Sequence, residues 1–139
     1  MKETGEVRVK VRIINAIDEG LARRGKLSED QIRSQEVIAI VDTGATTSVL
    51  SPEIVKNLGL HILRQELATY ANGSSELVDI AETVVCKILN RRGPEEPFIL
   101  GHEVLLGQIP LERMDLVVDC KNQQVTPNPK HPDRPTFRI

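Results

Sequence analysis

The sequence predicts a small all-β domain with one or two short helices, and three observations carry that expectation. Val7, Val9, Val11 and Ile13 alternate strictly with Arg8, Lys10 and Arg12, which is the period of a strand with one buried and one wet face. Asn72-Gly73 separates two strand-like stretches, and both residues tolerate the positive φ of a tight hairpin. Elsewhere the apolar residues fall in short runs broken by Gly, Pro and Asn, too short to make core helices.

Taken in order, residues 7–13 form the first strand. The character changes over 18–35, where Ser28-Glu29-Asp30-Gln31 has the Ser and Gln spacing of a capping box with acids in the first turn. That segment predicts a short surface helix inside an excursion between two strands. Residues 37–41 are a continuous apolar run, predicting a strand buried on both faces that delivers Asp42 into a polar turn. Ser51-Pro52-Glu53 then starts a helix with Pro at its first position, Gly59 stops it, and Ile54, Val55 and Leu58 face the core.

Residues 66–70 and 76–89 are the strands flanking Ala71-Asn72-Gly73-Ser74-Ser75. Arg91-Arg92-Gly93-Pro94 reads as a further turn, followed by the short strands 98–100 and 104–106. Residues 110–114 suit a single helical turn, and 116–118 pairs with 123–126 around Lys121-Asn122. Four prolines fall within 127–135, so the tail resists regular structure, with 136–139 available to pair at an edge or with a partner chain.

A length of 139 residues suits one domain, since single cores commonly use roughly 100–150 residues. The expected division is a single domain over 1–139, with its core at about 6–127 and a Pro-rich tail at 127–139. No Trp, one Tyr and two Phe leave the core aliphatic, give almost nothing to stack on nucleobases, and, with few aromatics to line pockets, predict that any bound peptide presents small or aliphatic side chains. A formal net charge of −2 spread over mixed residues creates no field that selects nucleic acid or an anionic membrane. Arg23-Arg24 and Arg91-Arg92 are isolated pairs of solvated charge.

Met1-Lys2-Glu3-Thr4 lacks the apolar stretch of a leader, and no run approaches the ~20 apolar residues of a membrane span; a soluble, cytoplasmic protein is expected. Cys86 and Cys120 form neither a CxxC pair nor a disulfide framework. His61, His102 and His131 are too scattered for a zinc site, and no metal or cofactor is expected. Ser48 and Ser51 sit in no nucleophile elbow, Cys86 reads as strand core, and Gly44-Ala45-Thr46-Thr47 lacks the Lys of a phosphate loop.

The chemistry concentrates at Asp42-Thr43-Gly44, directly after an apolar strand. It offers a carboxylate, an adjacent hydroxyl and a glycine that lets backbone N–H groups approach the carboxylate. The same triplet also suits a plain strand-ending turn, with Asp42 capping the backbone and Thr46, Thr47 or Ser48 satisfying local polar groups.

Ile40-Val41-Asp42-Thr43-Gly44-Ala45, the Asn72-Gly73 hairpin tip, and Leu105-Leu106-Gly107 before a short helix stand in an order and spacing that resembles the retroviral-type, single-domain aspartic proteases and their bacterial relatives. The likeness runs over about residues 7–126. It implies a small closed β-barrel of the acid protease, retropepsin-like fold and an aspartic endopeptidase with Asp42 as its catalytic carboxylate. It further implies that Thr43 hydrogen-bonds across a dimer, that Gly44 and Ala45 support the carboxylate, and that Asn72, Gly73 and Ser74 form a flap over the peptide. Leu105, Leu106 and Gly107 thread behind the catalytic loop.

One Asp-Thr-Gly per chain, against two in the longer pepsin-like enzymes, implies a homodimer acting on a peptide or protein, with its activity on the acid side. The alternatives are a catalytically quiet dimerisation or peptide-binding module of the same fold, and a plain structural β-domain. Three features depart from the pattern: the long excursion at 18–35, Gln108 where many relatives carry Arg, and the Pro-rich tail.

Overall fold

In the computed structural model, which describes residues 6–139, the alternating stretch becomes β1 (Val7–Asn15), with Val7, Val11 and Ile13 buried and Arg8, Lys10 and Arg12 exposed. Met1–Thr4, on which the expectation about a leader rests, lies outside the described residues. β1 pairs antiparallel with β2 (Ser34–Val41) from Val7↔Val41 to Ile14↔Ser34. Further strands are β3 (Val49–Leu50), β4 (Ile62–Thr69), β5 (Ser75–Ala81), β6 (Val84–Ile88), β7 (Arg91–Glu95), β8 (Phe98–Ile99) and β9 (Leu105–Leu106).

These nine form one sheet in the order β4-β5-β8-β3-β9-β2-β1-β6-β7, while β10 (Leu116–Asp119) and β11 (Gln124–Pro127) pair separately. The fold is mostly β as the sequence predicts, and the sheet curls into a half-barrel. Its hydrogen bonding does not close a ring, because β4 and β7 stand at opposite ends of the order. Val11, Ile13, Ala39, Leu50, Leu106 and Met114 lie in a shared aliphatic core, whose burial is the main stabilising contribution.

Among the described residues three α-helices form where one or two are expected. α1 (Ala16–Arg23) starts directly after β1 because Asn15 caps it, its side chain accepting the Asp18 N–H at 3.0 Å. The capping box at Ser28 and Gln31 is present, yet it organises only a 3₁₀ turn over Glu29–Gln31. The excursion is fastened by Asp18, which is buried and receives the Arg33 guanidinium at 2.8 and 2.9 Å and the Arg33 N–H at 3.0 Å. That bonding holds the Asp18 carboxyl below its ordinary pKa. α2 (Pro52–Asn57) has the Ser51 cap, the leading Pro, and the buried Ile54, Val55 and Leu58 read from the sequence. Gly59 takes φ 64° just beyond it, the left-handed conformation that ends helices. α3 (Gln108–Arg113) follows β9.

Several local expectations are corrected. β2 is not buried on both faces: Ala39 is fully covered, whereas Ile38 is 55 % exposed, because only one side of the half-barrel faces the core. The stretch 76–89 breaks at Glu82-Thr83 into β5 and β6. Arg91–Pro94 belongs to a strand, and the turn lies at Leu89-Asn90, with φ 51° and 65°. Pro94 is tolerated there because β7 is an edge strand.

The tail makes no strand at 136–139. Instead, Asn128, His131 and the Thr136 N–H converge on Asp115 at 3.0, 2.7 and 3.1 Å. His131 is thereby anchored to the fold through Asp115. Cys86 is buried and Cys120 is exposed, and burial raises the Cys86 thiol well above its ordinary range.

Candidate active site

Asp42 is placed by strand pairing. β9 runs parallel beside the end of β2, with Ile40↔Leu105 and Val41↔Leu106 as partners, and the Asp42 N–H donates to the Leu106 carbonyl at 2.9 Å. The chain then reverses: Ala45 N–H donates to the Asp42 carbonyl at 3.1 Å, and Gly44 N–H to Asp42 Oδ1 at 3.0 Å. A Cβ on Gly44 would lie 3.3 Å from that oxygen, so the glycine allows the backbone to approach the carboxylate. This bonding is compatible with a plain capping turn as well as with a catalytic one. Asp42 is half-buried, and Thr43 and Gly44 are exposed, so the turn lies at the surface.

Leu105-Leu106-Gly107 supports the turn from behind. Gly107 N–H donates to Ser48 Oγ at 2.9 Å, and the next two amides, Gln108 and Ile109, donate to the carbonyls of Ala45 and Thr46 at 2.8 and 3.0 Å. The stretch from Asp42 to Ser48 is therefore hydrogen-bonded at four points to the stretch from Leu106 to Ile109.

Ser48 is tied to Glu95, a residue that the sequence analysis does not single out. Its N–H donates to Glu95 Oε1 at 2.9 Å. Glu95 closes β7 and is only 8 % exposed, and its Oε2 has no hydrogen-bond partner among the described residues. Burial raises the Glu95 carboxyl above its ordinary pKa, against the opposing effect of the Ser48 hydrogen bonds. The available sequence signal was the alternation of Arg91, Gly93 and Glu95 against Arg92 and Pro94, masked by turn-like composition.

The hairpin of β4 and β5 keeps a continuous register from Arg64↔Ile80 to Thr69↔Ser75. Its tip is closed by Tyr70 N–H to the Ser74 carbonyl at 2.8 Å and by Gly73 N–H to the Tyr70 carbonyl at 2.9 Å. Asn72 Oδ1 accepts the Ser74 N–H at 2.9 Å, and Gly73 takes φ 87°, which only glycine adopts without strain. Asn72, Gly73 and Ser74 are all exposed. In the sheet the hairpin is separated from β2, which delivers Asp42, by β8, β3 and β9, and its Arg64, Glu66 and Ile80 share a 220 Å³ cavity with Thr47 and Ile109.

Among the described residues, no three His, Cys, Asp or Glu side chains are grouped to hold a metal ion, and no helix is long and apolar enough to cross a membrane.

Residues 28–113 match the family described as "gag-polyprotein putative aspartyl protease". Among solved structures, the retroviral protease-like domain of Ddi1 from Leishmania major aligns with a TM-score of 0.55 at 14% identity over 91% of each chain. A retropepsin-like aspartic protease from Rickettsia conorii gives 0.44 at 18% identity, covering 86% of this chain and 91% of that one. EIAV protease, solved with an inhibitor, gives 0.41 at 24% identity over 55% of this chain and 75% of that one. No curated protein matches the sequence significantly. The Ddi1 likeness concerns the fold alone, whereas the family match spans more than half of the chain, and on that match the chain belongs to the gag-polyprotein aspartyl protease family.

Proposed function

We propose that the protein is an aspartic endopeptidase that hydrolyses peptide bonds as a homodimer, with one Asp42 from each chain activating the attacking water. The observation that carries this reading is the Asp42 turn itself: a single Asp-Thr-Gly held from behind by Gly107 and Ser48, with Thr43 and Gly44 facing solvent.

The reaction needs two carboxylates sharing one proton, so that one accepts a proton from water while the other donates to the peptide carbonyl. One chain supplies one such group, and a two-fold partner supplies the other at the axis. The pair then titrates as a unit, which puts activity on the acid side. Thr43 is assigned to the contact between the two turns, Gly44 and Ala45 to orienting the carboxylate, and Asn72, Gly73 and Ser74 to a flap that covers the peptide. Leu105, Leu106 and Gly107 hold the turn in place.

The test compares wild type with Asp42→Asn on a mixture of unfolded proteins from weakly acid to neutral pH, reading new termini by mass spectrometry. Cleavage by wild type that vanishes in the variant supports the proposal. Cleavage that survives the substitution removes it, and a folded dimer that cleaves nothing favours the quiet peptide-binding module.

A further inference from the structure

Beside the Asp42 turn lies a cavity of 220 Å³ bordered by Thr47, Ile109, Arg64, Glu66, Glu95 and Glu96. Thr47 continues from the turn, and Ile109 comes two residues after Gly107, so the cavity opens on the segments that hold the candidate carboxylate. Sites for whole small molecules usually enclose roughly 300–1,000 Å³. This cavity is smaller and suits a single side chain.

Its wall combines the apolar Ile80, Phe98 and Ile109 with four charged side chains, Arg64, Glu66, Glu95 and Glu96, whereas the composition suggests a peptide with small or aliphatic side chains. The Arg64 guanidinium donates to Glu66 at 2.6 Å and to Glu96 at 2.9 Å, so one cation already faces two carboxylates and the rim is left negative. Those ion pairs are solvated and weak on their own. Behind them sits Glu95, with Oε1 engaged by Ser48 and Oε2 the one buried side-chain polar atom without a partner among the described residues. A buried polar atom left unpaired is costly and is normally satisfied. Here the neighbouring feature able to admit a partner is the cavity that Glu95 borders.

We propose that this cavity is a subsite for a lysine or arginine side chain of the peptide substrate, with Glu95 as the acceptor that its cationic head reaches. The inference rests on the peptidase reading, in that this face receives a peptide. A cation entering there meets excess negative charge at the rim, favours the ionised form of the Glu95 carboxyl as it approaches, and pairs the orphaned oxygen at the base. An apolar side chain of the same length does neither, so the site discriminates by leaving Glu95 unpaired.

The test uses a random peptide library in which Lys, Arg and norleucine are equally represented. Wild type is assayed for cleavage, and immobilised Asp42→Asn for retention. The expected result is roughly tenfold or greater enrichment of Lys or Arg over norleucine at one position in both arms. That enrichment should shrink in Glu95→Gln and disappear in a Glu66→Gln, Glu96→Gln double variant. The double variant alters the rim, leaves the Ser48 bond intact, and decides the matter even if Glu95→Gln fails to fold.

Cleavage without enrichment, or enrichment that both sets of variants leave intact, overturns the subsite while the peptidase reading stands. Glu-dependent retention of Lys or Arg peptides by Asp42→Asn, with no cleavage by wild type, upholds the subsite and overturns the peptidase reading. Neither cleavage nor selective retention overturns both.

Discussion

Gly107 passes so close to the Asp42 turn that a methyl group on its Cα would stand 2.8 Å from the carbonyl carbon of Thr47 and 2.9 Å from the carbonyl oxygen of Ala45. Its φ of −87° is open to any residue, so the demand for glycine there is one of space. Gly107→Ala must push two backbone segments apart and strain the Ser48 bond. Overpacking of this kind costs about 1–3 kcal/mol. Urea unfolding should show that loss, and a variant as stable as wild type would contradict the close threading.

Gly44→Ala tests the carboxylate rather than the fold. The added methyl meets Asp42 Oδ1 at 3.3 Å at an exposed position, where stability should change by no more than about 0.5 kcal/mol. A displaced carboxylate is expected to lower kcat/KM roughly tenfold to a hundredfold. Parallel unfolding and kinetic measurements separate the two effects, and unchanged kinetics would argue against Asp42 as the reacting group.

Glu95 sets an expected pH dependence of stability. Burial raises its folded-state pKa above the ordinary 4.5, so the folded chain holds the proton more tightly than the unfolded one. Its contribution is fully present below the ordinary value and is lost as pH rises through the raised one. Melting temperature followed from pH 4 upward, on the order of one unit per step, should therefore fall in wild type relative to Glu95→Gln. Parallel curves would mean that the carboxyl is not desolvated as described.

The tail gives the opposite sign. Asp115 is held below its ordinary 3.8 first by the Asn128 side chain, with the Thr136 N–H and His131 adding to it. This contribution is present above the ordinary value and lost as pH falls through the lowered one. Arg91 reinforces the tail by donating to the carbonyls of Met114, Asp115 and His131 at 3.2, 2.9 and 2.6 Å. Arg91→Met leaves those acceptors without their donor, at about 1–3 kcal/mol for each that stays buried. Hydrogen exchange should then rise across residues 128–136, and unchanged protection there would show that the clamp is dispensable.

The parts of the fold legible in the sequence are those set by local chemistry. Val7 to Ile13 alternates because its two faces meet different media, Asn72-Gly73 turns because both residues accept the turn geometry, and Ser51-Pro52 caps its helix within one turn. The misread parts depend on distant partners. Arg91-Arg92-Gly93-Pro94 looks like a turn until Arg91 finds carbonyls at Met114, Asp115 and His131, and Pro94 finds a sheet edge. Asn15 starts α1 without the Glu or Gln of a capping box, by bonding Asp18 and also the Leu58 carbonyl at 2.8 Å. At the candidate site, the Asp42 triplet stands out because it follows an apolar strand. Glu95 does not, because its partner Ser48 is 47 residues away and its composition is that of a solvated loop.

The central claim, two copies of Asp42 in one site, is tested most directly by mixing. Wild type is diluted into Asp42→Asn at constant total protein, the chains are allowed to exchange, and cleavage is measured against the wild-type fraction. If each site needs both carboxylates, mixed dimers are inactive and activity falls with the square of that fraction. A linear fall would mean that each chain works alone, and would contradict the shared site.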